Sequence, residues 1–234
     1  MTPIRRGRCA PGEVWKELTW TTINQGAMDE ESLDQLRLLS QRSLGCAGDS
    51  LAALLQHSVQ LTVSSIGVVS VSDLTGLLVR DGEARMAGLR FHITGEGAGQ
   101  IVLLFPLPTI FRMLRVLLGV EEESRSLSGF ERSAVQEVGN IVVSSFLSGL
   151  GDLVGKRLFH TPPEIHLDDS QGLVREVLAN VKEQGAGVLV VQALFEDPER
   201  RIEGRFFVLP EFTSLQSMLH GRDSTGTKEG GALA

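Results

Sequence analysis

The chain has 234 residues, of which 42% are hydrophobic and 22% charged, and it carries a net charge of −7 at pH 7. This composition suits a globular protein with a substantial core, and the acidic balance argues against a nucleic-acid surface, which would need a basic stripe. No apolar run predicts membrane insertion or export, and two cysteines, Cys9 and Cys46, are too few for a disulfide scaffold, so we expect a reduced, cytoplasmic protein.

Composition divides the chain into three parts. Residues 1–28 lack a clear period and hold Trp15 and Trp20 in a polar setting, which fits either a weakly packed extension or an arm that docks on a partner. Residues 29–221 carry all the periodic segments and predict one domain. Residues 222–234 are rich in Gly, Ser and Thr, and we expect a flexible tail there.

The first half of the domain is predicted to begin with a long helix. Its elements in chain order are a helix from the capping residues Asp29 and Ser32 to about Gln56, a strand near 58–71, a short helix at 72–79, strands at 86–95 and 100–105, and a helix from Pro108 to Gly119. The glycines of "GEGAG" (95–99) join two strands, so a hairpin turn is favoured over a phosphate-binding loop.

The second half repeats this order. Its elements are a helix over about Ser128–Leu150, a strand at 163–169, a helix at 170–183, strands at 187–195 and 201–209, and a helix from Pro210 to Gly221. The closing segments 105–119 and 207–221 align without a gap, which favours a tandem duplication over two unrelated strand–helix corners. The sequence therefore predicts an α/β fold with pseudo-two-fold symmetry (repeats at about 29–120 and 128–221). Six main strands, largely antiparallel within each half, would be covered by the two long helices.

One side of the second long helix carries an unusual polar stripe. Ser133, Glu137, Asn140 and Ser144 fall on one face at helical spacing. Asn is unfavourable in a helix interior because its side chain competes for backbone hydrogen bonds. A solvated helix edge is one interpretation. The other is a functional ledge, since Asn can orient a water molecule and Glu can accept from a Lys or Arg of a partner.

The spacing of this stripe resembles a family motif. Ser133, three residues, Glu137, two residues, Asn140, twenty-two residues and Pro163 match the pattern that marks the CheC/CheX/FliY phosphatases of bacterial chemotaxis. The resemblance extends, more diffusely, over about residues 30–220. It implies a CheC-like duplicated fold in which antiparallel strands are covered by two long helices.

The resemblance also implies a function. It implies hydrolysis of the aspartyl phosphate on a CheY-like response regulator, with Asn140 orienting the attacking water and Glu137 pairing with a regulator Lys. Ser133 and Pro163 would shape the helix and the following strand. The regulator would bring its own Mg²⁺, and we expect no metal or cofactor on this chain, whose histidines lack ligand spacing. The alternative is a non-catalytic adaptor that binds a regulator, a CheD-like deamidase or a flagellar-switch component.

The first long helix departs from the motif. In CheC proteins it carries a second copy, but the matching positions here are Gln41 where Glu is expected and Leu44 where Asn is expected, with Arg37 and Gly67 at the outer positions. The side chain of Leu44 can neither donate nor accept a hydrogen bond, and Gln41 has no charge to pair with a Lys. We therefore expect a silent first site. Leu44 would be either exposed or partly covered by a partner or by the N-terminal extension.

Overall fold

A computed structural model describes residues 30–56, 58–69, 85–119, 126–168, 172, 175, 188–196 and 203–211. The elements are α1 (Glu30–Leu55), β1 (Gln60–Val69), β2 (Met86–Gly95), β3 (Gly99–Pro106), α2 (Leu107–Leu118), α3 (Gly129–Val154), β4 (Leu158–His160), β5 (Glu164–Asp168), β6 (Val188–Glu196) and β7 (Glu203–Pro210). In this part of the chain no helix is long and apolar enough to cross a membrane.

The two long helices and the main strands are confirmed close to their predicted bounds. β4, a three-residue strand, was not predicted. The N-terminal extension, the short helix at 72–79, the last helix and the C-terminal tail lie outside the described residues. Of the helix predicted at 170–183, only Gly172 and Arg175 are described, and both are helical.

The strands form one antiparallel sheet of seven strands in the order β1-β6-β7-β3-β2-β4, with β5 also pairing with β2. The predicted antiparallel pairing is confirmed. The expectation that strands pair largely within their own half was wrong. β1 pairs with β6 of the second half, and β5 of the second half pairs with β2. β3 and β7 meet at the centre. Each half therefore contributes its first strand to the other half, and both halves share one core.

The core lies between the sheet and the helices α1 and α3. Large aromatic side chains fill it, and the ring centroids of Phe146 on α3 and Phe206 on β7 are 5.0 Å apart. Side chains on the opposite face of the sheet, such as Val102, Leu104 and Phe207, are buried as well. Along β2, Leu89, Phe91 and Ile93 are buried and alternate with the half-buried Arg90 and His92, whereas at the start of the strand Met86–Leu89 are all buried.

The glycine-rich segment 95–99 is a hairpin turn, as predicted. β2 ends at Gly95 and β3 begins at Gly99, and these two strands pair along their length. Both glycines have positive φ (92° and 148°), a region in which other residues are strained. A Cβ atom at Gly99 would also lie 2.6 Å from the carbonyl oxygen of Leu209, so the turn needs glycine for space too.

Helix α3 is fixed at both ends and along its length. Ser128 accepts from the N–H of Glu131, and the Glu131 carboxylate accepts from the N–H of Ser128, which completes a capping box at the predicted cap. Gly155 closes the other end in the left-handed conformation, with φ of 68°. In the middle, Gly139 lets the helix approach β2 so closely that a Cβ atom there would lie 2.7 Å from Leu89 Cδ2.

Candidate functional site

The polar stripe of α3, which we call the ledge (Ser133, Glu137, Asn140 and Ser144), faces outward from the core. Glu137, Ser133 and Ser144 are exposed and Asn140 is half-buried. The Nδ2 atom of Asn140 donates to Oε2 of Glu137 at 3.3 Å. This bond leaves the carboxamide oxygen of Asn140 and one carboxylate oxygen of Glu137 available for contacts outside the chain. The structure thus brings together the two residues to which the sequence motif assigns chemistry.

The other two motif residues, Ser133 and Pro163, form hydrogen bonds within α3 and between α3 and the start of β5. The Ser133 hydroxyl donates to the carbonyl of Gly129 at 3.0 Å, within the first turns of α3. Pro163 is buried immediately before β5, and its carbonyl accepts from Nε2 of Gln136 at 3.0 Å. That bond ties α3 to the start of β5, next to the ledge.

His160 joins the ledge at its C-terminal end. Its Nε2 atom lies 2.8 Å from the Ser144 hydroxyl, and its Nδ1 atom lies 2.8 Å from the carbonyl oxygen of Thr161. A carbonyl can only accept, so Nδ1 carries the proton, and in the neutral ring Nε2 accepts from Ser144. Phe91 packs edge-on against the imidazole, with ring centroids 5.2 Å apart. Sequence reasoning missed this contact, because the three-residue strand that places His160 gives no periodic signal.

On α1, the side chains of the predicted first site, Gln41 and Leu44, are packed or bonded within the chain itself. Leu44 has 0% exposure and lies in the chain's own core, so it is neither exposed nor covered by a partner. Gln41 is exposed, but its amide is held by β1. Its Nε2 donates to the Leu61 carbonyl at 3.4 Å, and its Oε1 accepts from the N–H of Val63 at 3.0 Å.

The pseudo-two-fold relation explains the burial of Leu44. Where α1 and α3 cross, the Ser145 hydroxyl donates to that of Ser50 at 2.8 Å, and these equivalent serines are 95 positions apart. The burial pattern repeats with the same offset. The buried α1 residues that have a buried counterpart 95 positions later on α3 are Leu36, Ser40, Ser43, Leu44, Ala47, Gly48, Leu51 and Leu55.

With this offset, the counterparts of Glu137 and Asn140 are Arg42 and Gly45. This alignment differs by one residue from the correspondence predicted from motif spacing, Gln41 and Leu44, and one residue on a helix is a rotation of about 100°. Arg42 has the opposite charge to Glu137, and Gly45 has no side chain. The face of α1 that matches the ledge thus offers neither a carboxylate nor a carboxamide.

A further electrostatic feature of the described residues is on β5. A hydrogen bond from Arg90 on β2 lowers the pKa of the Glu164 carboxyl below its usual value, and His166 is a further neighbour. Across the described ranges there is no group of three or more His, Cys, Asp or Glu side chains that could hold a metal ion. The ledge itself combines one carboxylate with one carboxamide, a set suited to binding a cation of a partner and orienting water.

Comparison with known proteins shows what this segment resembles. The model of the CheC-like family matches residues 130–167, the segment that holds the ledge, His160 and Pro163. CheY-P phosphatase CheC of Bacillus subtilis is 24% identical over 194 residues, which cover 81% of this chain and 92% of that protein. The chain is thus similar to the CheC-like family over this segment and to a CheC protein over most of its length.

Solved structures show that the chain shares its fold with FliY and with the FliM middle domain. FliY of Thermotoga maritima superposes with a TM-score of 0.63 at 18% identity, over 82% of this chain and 95% of that one. The FliM middle domain of H. pylori superposes with a TM-score of 0.58 at 15% identity, over 82% and 98%. At these identities the likeness concerns the fold alone and assigns no function.

Proposed function

We propose that this CheC-like chain hydrolyses the aspartyl phosphate of a CheY-type response regulator. The observation that carries the proposal is the exposed, hydrogen-bonded pair of Glu137 and Asn140 on the segment that matches the family model. The relative named CheY-P phosphatase supports the same reaction class. Neither side chain is a strong nucleophile, so the chain acts on a bond that the partner brings.

Asn140 orients the attacking water in this reaction. Its carboxamide oxygen accepts a hydrogen bond from the water, which points a lone pair of the water oxygen at the phosphorus. A bond forms between that oxygen and phosphorus, the bond from phosphorus to the regulator's aspartate oxygen breaks, and the aspartate leaves as a carboxylate. The water proton passes to the released phosphate. Positioning and charge stabilisation supply most of the rate enhancement in phosphoryl transfer. The regulator's own Mg²⁺ would stabilise the negative charge of the phosphoryl group.

Glu137 has two tasks that its two oxygens can share. Oε2 accepts from the Asn140 amide and so restricts the orientation of that carboxamide. The other oxygen can accept from a Lys ammonium on the regulator, which would fix the docked orientation. Loss of the carboxylate would therefore weaken both docking and the alignment of Asn140.

The surroundings of the pair favour a preorganised site. The Gln136–Pro163 bond and the close approach at Gly139 hold α3 against the sheet just before Asn140, and the capping box at Ser128 fixes the start of the helix. A side chain placed by a packed helix keeps its position better than one on a loop. Water orientation needs this rigidity, since a displacement of about 1 Å can cost about 10²-fold in rate.

A second candidate function is a non-catalytic adaptor for a regulator, a CheD-like deamidase or a flagellar-switch component. The observation that favours it is the first-half face, where Arg42 and Gly45 provide no counterpart of the catalytic pair. An adaptor needs a docking surface but no water-orienting group. The two functions therefore differ in whether the bound regulator loses its phosphoryl group.

The test uses a CheY-type regulator from a chemotaxis system, phosphorylated with a small-molecule phosphodonor and separated from it. Decay of the acyl phosphate is followed with and without substoichiometric amounts of this chain. The proposal expects first-order decay whose rate rises with the amount of chain and with several turnovers per chain. Binding of the phosphorylated regulator with unchanged decay, for every regulator tried, would establish the adaptor instead.

A further inference from the structure

Two large apolar side chains stand exposed at opposite ends of the ledge. Phe130, 70% exposed, lies in the first turn of α3, one turn before Ser133 and on the same side of the helix as Glu137. Phe159, 59% exposed, precedes His160 on β4. Within the described ranges the one other exposed large hydrophobic side chain is Leu38, on α1.

Phe159 is connected to the ledge through a shared groove. Ser144 and His160 line a groove of about 420 Å³, together with Phe159, Asp152 and Arg157. Since Ser144 is one turn from Asn140, the surface from Phe130 to this groove is continuous with the candidate site. Along the helix the distance from Phe130 to Ser144 is about 21 Å at 1.5 Å per residue.

We infer that Phe130 and Phe159 are apolar anchors on either side of the polar centre, and that their partner is the regulator of the proposed function. A protein interface of standard size buries about 800 Å² on each partner, a disc about 30 Å across, which contains both phenylalanines and the ledge. Aromatic side chains are enriched at such interfaces and carry much of their binding energy. This inference rests on the proposed function for the identity of the partner.

Charge argues for a different protein rather than a second copy of this chain. A two-fold dimer over the ledge would place the same patch against itself and bring the Glu137 carboxylates of both copies into one interface. Like charges there would repel. A partner with a Lys opposite Glu137 and apolar patches opposite Phe130 and Phe159 is complementary.

The experiment measures binding of a CheY-type regulator loaded with beryllofluoride and Mg²⁺, a stable mimic of the phosphorylated state. Phe130→Ser and Phe159→Ser should each raise the Kd about tenfold or more, since truncation of an interface anchor commonly costs that much. Leu38→Ser is the matched control and should leave the Kd within about twofold. In the phosphatase assay the two Phe variants should raise KM and leave kcat unchanged.

The outcomes separate the two claims. If the wild-type chain hydrolyses the phosphate and both Phe variants bind like it, the anchor assignment is wrong and the proposed function stands. If binding depends on both phenylalanines but no hydrolysis occurs, the docking surface stands and the proposed function fails. A dimer of this chain that Phe130→Ser dissociates, without a change in regulator binding, would assign the surface to a second copy and overturn the inference. Unchanged thermal midpoints of the variants show that they are folded.

Discussion

Replacing Gly139 by Ala should destabilise the chain, although Ala is the better helix former. The gain in helix propensity is about 1 kcal/mol. Against it, the new Cβ would lie 2.7 Å from Leu89 Cδ2 and 2.9 Å from Phe91 Cζ, and both of these side chains are fully buried. Overpacking of a core costs about 1–3 kcal/mol. The expected net effect is a loss of up to about 2 kcal/mol, together with an outward shift of α3 that moves Asn140.

Gly45 on α1 provides the matched control. No atom would lie within 4 Å of a Cβ added there, so Gly45→Ala should add helix propensity without overpacking and stabilise the chain by up to about 1 kcal/mol. Urea unfolding of both variants measures the two changes. If their stabilities differ by about 2 kcal/mol, their thermal midpoints should differ by about 4–8 °C, at about 2–4 °C per kcal/mol for a chain of this size. If the two substitutions stabilise equally, then α3 does not pack against β2 as described, and the rigid placement of Asn140 loses its basis.

Two further predictions concern charges on α3. Glu137→Lys should weaken binding of the phosphorylated regulator by like-charge repulsion and also slow its dephosphorylation, as measured by titration and by decay assays; normal binding would remove Glu137 from docking. The second concerns Glu131, whose pKa is lowered by hydrogen bonds from the backbone N–H and the side chain of Ser128. A carboxyl whose pKa is lowered by folding stabilises the fold above pH 4.5, and this contribution is lost as the pH falls below that value. The difference in unfolding free energy between wild type and Glu131→Gln, measured by urea unfolding, should therefore shrink from pH 7 to pH 3.5. A difference that stays constant with pH would refute the link.

Local sequence signals account for most of the helices and strands. Ser128 with Glu131 three residues later is a capping box, and it fixed the start of α3 correctly because the signal is carried by neighbouring residues. The hairpin at 95–99 was predictable for the same reason. The exchange of β1 and β5 between the halves was not, because strand periodicity indicates which face is buried and not which distant strand is the partner.

The candidate site likewise has features that could be predicted from the sequence and features that could not. The shared face of Glu137 and Asn140 follows from helical spacing and was readable from the sequence. The residues of α1 that correspond to this pair could not be read from the sequence. Shifting the motif match by one residue changes the sequence agreement little but rotates the matched side chain by about 100°. Only the Ser50–Ser145 contact and the buried pattern establish the register. Phe130 was not singled out, because exposure of a large apolar residue depends on the packing around it.

The most direct test of the central claim is the effect of Asn140→Ala on kcat at a saturating concentration of phosphorylated regulator. The account predicts a fall of about 100-fold or more, in the range seen when one transition-state hydrogen-bonding group is removed, with binding of the beryllofluoride-loaded regulator and thermal stability nearly unchanged. A folded Asn140→Ala variant with the kcat of the wild-type chain would contradict the assignment of Asn140 as the residue that orients the attacking water.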